Sequence, residues 1–124
     1  MIAYTTLGTN NMDRALAFYD ALLGEVGGQR AVEVPGVVLY AGSEGTPLFC
    51  VAEPWNKEEA TVGNGSMIGL AAESAEAVDK LYERAIELGA TDDGPPGPRQ
   101  RGELSFYAGY FRDPDGHKLS FFHM

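Results

Sequence analysis

An internal repeat limits what this chain can fold into more than any other feature. Residues 3–23 align with residues 66–86 at a constant offset of 63. Each copy holds a short apolar run, a polar residue in capping position and an amphipathic stretch. Phe18-Tyr19 falls on Leu81-Tyr82, and Asp20 falls on Glu83. A period of this length marks one supersecondary unit used twice, because a single copy would leave its apolar face uncovered.

Local signals supply the elements. Asn11 is placed to cap a first helix, with Met12, Ala15, Leu16, Tyr19, Leu22 and Leu23 at helical spacing behind it. Ser74 caps a second helix, whose apolar face is Val78, Leu81, Tyr82, Ala85 and Leu88. Gly24 and Gly89 suit the left-handed residue that follows a helix C-terminus. Residues 32–34 and 37–40 read as strands around a Pro35-Gly36 turn, and residues 48–51 close the first copy. In the second copy, residues 105–111 and 118–122 flank Asp113-Pro114-Asp115-Gly116, where proline presets φ and glycine supplies a positive one. A short strand starts near Thr91, and Gly94-Pro95-Pro96-Gly97-Pro98 reads as a loop.

The order β-α-β-β-β, twice over, predicts an α+β fold. Two tandem βαβββ modules, residues 1–53 and 66–124, are joined by a connector at 54–65 into a single domain. The predicted architecture is a curved mixed sheet with helices on its outer face and a central cavity. Pseudo-twofold symmetry then directs equivalent residues of both copies to that cavity, where a small molecule would bind.

Composition narrows the partners. A chain of 124 residues buries enough core to need no disulfide. Its single Cys50 cannot form an internal one, which fits a reducing compartment. The first residues lack a basic segment followed by an apolar run, so no signal peptide is expected. No apolar stretch approaches the roughly 20 residues that cross a bilayer. A cytoplasmic location is the expectation. With 18 acidic against 9 basic side chains the net charge is −9, which repels nucleic acid and anionic membranes. Neither is expected as a partner.

The run Phe106-Tyr107-Ala108-Gly109-Tyr110-Phe111-Arg112-Asp113-Pro114-Asp115-Gly116-His117-Lys118-Leu119 resembles a known signature. It is similar to the closing hairpin of the glyoxalase / bleomycin-resistance / extradiol-dioxygenase group, the vicinal oxygen chelate superfamily. Leu16-Ala17-Phe18-Tyr19 through Leu23-Gly24 matches the same family's first helix, and Gly63-Asn64-Gly65 resembles an uncharacterised glyoxalase-like branch. The resemblance spans nearly the whole chain.

Metal-dependent members hold a divalent ion with His and Glu from the first and last strands of each module. The resemblance carries those positions onto Tyr4, its repeat partner Met67, and the pair Phe49 and Ser120, matched by aligning Gly45 with Gly116. Such an ion takes about four to six imidazole or carboxylate donors. Here the four positions offer a phenol, a thioether, a phenyl ring and a hydroxyl, so no metal and no cofactor are expected. A substitute set would have to draw on His117, His123, Glu53 and Asp115. On a strand both histidines face away from Ser120, and they read as a turn and a surface residue. Cys50, alternating with Phe49, is expected to face the helix.

The predicted ligand-binding residues are Tyr4, Thr6, Phe49, Met67, Ser120 and Phe122, with Arg99 and Arg101 in a loop at the cavity mouth. Aromatic and thioether surface with a few hydroxyls suits an apolar or flat molecule. The two arginines could engage a carboxylate or phosphate. For each lining residue a pure packing role stands as the alternative to ligand contact, and Trp55 reads as a cover over the core. Three functions stay open: a small-molecule binding module, a metal-dependent lyase, isomerase or dioxygenase, and a metal-free enzyme using Tyr4 as acid or base. The resemblance is also compatible with a homodimer built through open sheet edges.

Overall fold

A computed structural model describes all 124 residues, which divide into two compact units, 1–61 and 62–124. The first contains strands β1 (Tyr4–Gly8), β2 (Gln29–Val34), β3 (Val37–Ala41) and β4 (Leu48–Ala52), and helix α1 (Met12–Gly24). The second contains β5 (Ile68–Ala71), α2 (Ala75–Glu87), β6 (Thr91–Asp92), β7 (Gly97–Arg101), β8 (Leu104–Arg112) and β9 (Lys118–His123).

Both helices begin where capping chemistry places them. Asn11 accepts from the Arg14 N–H, and Ser74 from the Ala77 N–H, each at 3.0 Å. The ends differ from each other. Gly89 is left-handed at φ 109°, as its position predicts. The first helix instead runs through Gly24, and the left-handed residue is Gly27 at φ 81°. The N–H groups of Glu25, Val26 and Gly27 all bond back into the last turn, so the chain tightens before it leaves.

The strands pair as two sheets, one in each unit. In the first the order is β1-β4-β3-β2, with β1 parallel to β4 and the remaining pairs antiparallel. Helix α1 covers one face through Ala15, Phe18, Tyr19, Leu22 and Leu23, all buried. The edge strand β2 is exposed throughout and is fastened to the helix by one cluster. Arg30 donates to both oxygens of Asp20, at 2.8 and 2.6 Å, and the Tyr40 hydroxyl donates to Asp20 at 2.7 Å. The Arg30 bond holds the Asp20 carboxyl below the usual range, partial burial opposes it, and the Tyr40 bond adds to the lowering. Burial, then the bond to Asp20, pushes the Tyr40 hydroxyl up.

In the second sheet β5 lies parallel to β9, β9 is antiparallel to β8, and both β6 and β7 pair with β8. The segment expected to be a loop is only partly one. Gly97-Pro98 opens β7, opposite Ala108 and Tyr107. Proline is tolerated there because β7 is an edge strand that needs no donor on its outer side. Arg99 and Arg101 therefore sit on a strand, which corrects their placement in a loop. Together β6 and β7 form one broken strand along β8. Across the break, the Asp93 N–H donates to the Tyr110 carbonyl and the Tyr110 N–H to the Gly94 carbonyl.

One orientation reverses the expectation. Phe49 pairs with Thr5 and Tyr40, and its ring lies 4.8 Å from that of Tyr19 on α1. Phe49 therefore faces the helix. Cys50 pairs with Thr6 and Leu39 and faces the other way. Cys50 lies five residues after Gly45, whereas Ser120 lies four after Gly116, so aligning the two glycines puts the last strands one residue out of step. A one-residue slip turns every side chain of a strand to the opposite face.

Two outcomes test these packing assignments. Phe49→Ala should cost about 3–5 kcal/mol in denaturant unfolding, and Cys50→Ala roughly 1 kcal/mol or less. The reverse ranking would put Phe49 on the open face. Asp20→Ala should cost about 1–2 kcal/mol, chiefly because it orphans the buried Tyr40 hydroxyl; the half-exposed ion pair adds little. Because the folded Asp20 pKa is depressed, its stabilisation is full above the unfolded value near 3.9 and fades as pH falls through the folded one. The gap in melting temperature between wild type and Asp20→Ala should therefore narrow below about pH 4.

Candidate functional site

In the first unit, the sheet face away from α1 is lined by alternate residues. Tyr4, Thr6 and Gly8 come from β1, Val37 from β3, and Cys50 and Ala52 from β4. The segment after β4 folds back over this face. Glu53, Pro54, Trp55, Asn56, Glu59, Ala60 and Thr61 form the opposing wall of a groove of about 650 Å³, a size that suits a small molecule.

The wall is fixed by few bonds. The Glu53 N–H donates to the Gly36 carbonyl at 2.8 Å, which ties the end of β4 to the Pro35-Gly36 turn. Asn10 clamps the far end, its amide donating to the Ala60 carbonyl at 2.9 Å and accepting from the Ala60 N–H at 2.6 Å. A side-chain amide bonding this way imitates a strand partner. Gly8 permits the approach, since a Cβ there would stand 3.1 Å from that of Ala60. Trp55 is 97% exposed, so it covers no core within this unit, contrary to the sequence reading.

The predicted residues separate by unit. Tyr4 and Thr6 line the groove of the first unit, joined there by Cys50 in place of Phe49. Tyr4 is 60% exposed and no side chain hydrogen-bonds its hydroxyl. In the second unit, Ser120 and Phe122 lie on the sheet face away from α2, opposite Tyr110 and Ala108. Met67 precedes β5 and, by alternation, shares the face of Gly69 and Ser120. Arg99 and Arg101 share that face from β7. The sequence reading missed Cys50, the Asn10 clamp and the acidic wall residue Glu59. Only the adjacent pair Asn10-Asn11 hinted at a clamp, and the second of the two was already used as the cap.

The family's metal positions can now be tested against the side chains present. With the register corrected, they hold Tyr4, Cys50, Met67 and Ser120: a phenol, a thiol, a thioether and a hydroxyl. These do not fit a hard or borderline divalent ion, which is held by imidazole and carboxylate groups. The two histidines of the substitute set do not stand together. His117 closes the Asp113–Gly116 turn as a buried residue, its N–H donating to Asp113 Oδ1. His123 is half-buried, with Nδ1 3.1 Å from the Ala72 carbonyl, so it is no surface residue either. Six residues of strand separate the two histidines by roughly 20 Å. No group of three or more His, Cys, Asp or Glu side chains is arranged to hold an ion. No helix is long and apolar enough to cross a membrane.

Comparison with known proteins agrees with this architecture. Residues 1–121 match the pattern of the Glyoxalase/Bleomycin resistance protein/Dioxygenase superfamily. The metallothiol transferase FosB of Shouchella clausii (strain KSM-K16) is 31% identical over 122 residues, covering 95% of this chain and 76% of that protein. The crystal structure of a glyoxalase/bleomycin resistance protein from Albidiferax ferrireducens T118 superimposes with a TM-score of 0.88 at 35% identity, covering 100% of this chain and 98% of the other. Lactoylglutathione lyase from Agrobacterium tumefaciens shares the fold, with a TM-score of 0.72 at 19% identity over 98% of this chain and 92% of its own. Two βαβββ-type units, the Asp-Pro-Asp-Gly hairpin and these likenesses place the chain in the Glyoxalase/Bleomycin resistance protein/Dioxygenase superfamily.

Proposed function

We propose that this protein is a metal-independent member of its superfamily that binds a small apolar or aromatic molecule. The observation that carries this reading is the donor chemistry at the family's metal positions, where no imidazole or carboxylate remains. Lewis-acid activation of a substrate oxygen needs an ion held in fixed geometry. A phenol, a thiol, a thioether and a hydroxyl do not provide that hold. The groove beside Tyr4, Thr6 and Cys50 supports binding, because it combines apolar wall with a few hydrogen-bonding groups. Sequestration of a ligand is the simplest task such a site performs.

The second reading is a metal-dependent transferase or lyase, favoured by the 31% identity to a protein named metallothiol transferase. Elemental analysis of untagged protein, purified without chelator, separates the two. The metal-independent reading expects divalent ions well below one per chain, and no melting-temperature shift on adding Mn²⁺, Zn²⁺ or Ni²⁺. One tightly held ion per chain, raising the melting temperature in proportion to its occupancy, would overturn it.

A further inference from the structure

The second unit gathers positive charge on the sheet face that points away from α2. Gly109 marks the side that meets α2, since a Cβ there would stand 3.1 Å from the Tyr82 ring. Its strand neighbours therefore point the other way. Phe106 and Tyr110 of β8, Lys118 and Phe122 of β9, and Arg99 and Arg101 of β7 share the face away from α2.

In a chain of net charge −9, this face is locally cationic. The Arg99 guanidinium carbon lies 5.6 Å from the centroid of the Tyr110 ring, and Lys118 Nζ 5.2 Å from it. Asp93 is the carboxylate that answers them, and it is shared. Its Oδ2 takes Arg112 at 3.0 Å and Lys118 at 3.3 Å. Arg99 has no carboxylate. Instead Nη2 donates to the Pro95 carbonyl at 2.6 Å and Nη1 to the Pro98 carbonyl at 3.3 Å. These bonds orient the guanidinium without neutralising it, so little order is lost when an anion arrives. Gly94 belongs to the same construction, because a side chain there would meet Tyr110 at 3.2 Å and Arg99 at 3.8 Å.

Beside the cations lies flat apolar surface. The Phe106 and Phe122 rings are 5.3 Å apart and half-buried, and Phe106 is the cross-strand partner of Arg99. An oriented guanidinium next to aromatic rings matches a planar molecule that carries an oxyanion. A polyanion fits less well, because the chain's overall charge opposes it.

We propose that this sheet face binds the carboxylate or phosphate of a small aromatic molecule, with Arg99 and Lys118 holding the anion and Phe106 and Phe122 carrying the ring. The proposal rests on the metal-independent reading above and adds to it a second site, on the other unit, with its own ligand class. Isothermal titration of the full chain, freed of metal by chelation and gel filtration, tests it with phenyl phosphate, benzoate and phenol. At least one of the two anions should bind 10-fold or more tightly than phenol, and which one does so assigns phosphate or carboxylate. Arg99→Gln and Lys118→Gln, checked for unchanged melting temperature, should each weaken that anion by at least about 10-fold. Lys80→Gln, on the exposed side of α2, should leave it unchanged. Neither anion exceeding phenol, or an equal loss in Lys80→Gln, would overturn the proposal. Anion binding that appears only after adding Mn²⁺ would instead overturn the metal-independent reading, leaving the charge dependence as the separate test of this face.

Discussion

Everything the first unit can present to a ligand depends on the parallel pairing of β1 with β4. That ladder sets Thr6 beside Cys50 and Thr5 beside Phe49. Parity then does the rest, since side chains alternate across a strand. Phe49 goes to the helix, where the Tyr19 ring receives it, and Cys50 goes to the groove. Moving the ladder by one residue would turn the thiol towards α1 and the phenyl ring towards the groove. Such a change would cost the core far more than any surface contact returns.

The second unit obeys the same rule with different chemistry. Gly69 beside Ser120 occupies the place that Thr6 beside Cys50 holds in the first. Helix α2 is tied down by tyrosine-carboxylate bonds. Tyr107 donates to Asp79, and Tyr82 to Asp92, with burial followed by the Asp92 bond pushing the Tyr82 hydroxyl up to about 12. Those acids serve α2 and its face. Arginine and lysine remain on the opposite face with Asp93 as their shared counter-ion. The segregation of charge across one sheet is therefore a by-product of how the helix is anchored.

Much of this was legible in the sequence, and the failures share a cause. The repeat, both N-caps and the Asp-Pro-Asp-Gly turn depend on local chemistry, and the structure forms each of them. The orientation of β4 does not, because Leu48-Phe49-Cys50-Val51-Ala52 is apolar at every position and its periodicity is silent. Only the tertiary ladder could choose a face. Pro98 misled for a similar reason: proline excludes a central strand, but whether a strand is central is not a local property. The Tyr110-centred cluster was missed because its members come from four segments. Arg99 and Arg101 were singled out, yet Lys118 and Asp93 gave no signal until pairing brought them together.

The account stands or falls on which way β4 turns, and proton NMR reads that directly. Nuclear Overhauser contacts should link the Phe49 ring to the Tyr19 ring, and the Cys50 β-protons to the Thr6 side chain. Contacts from the Phe49 ring to Thr6, with Cys50 against α1, would contradict the register and with it the groove, the corrected donor set and the reading built on them.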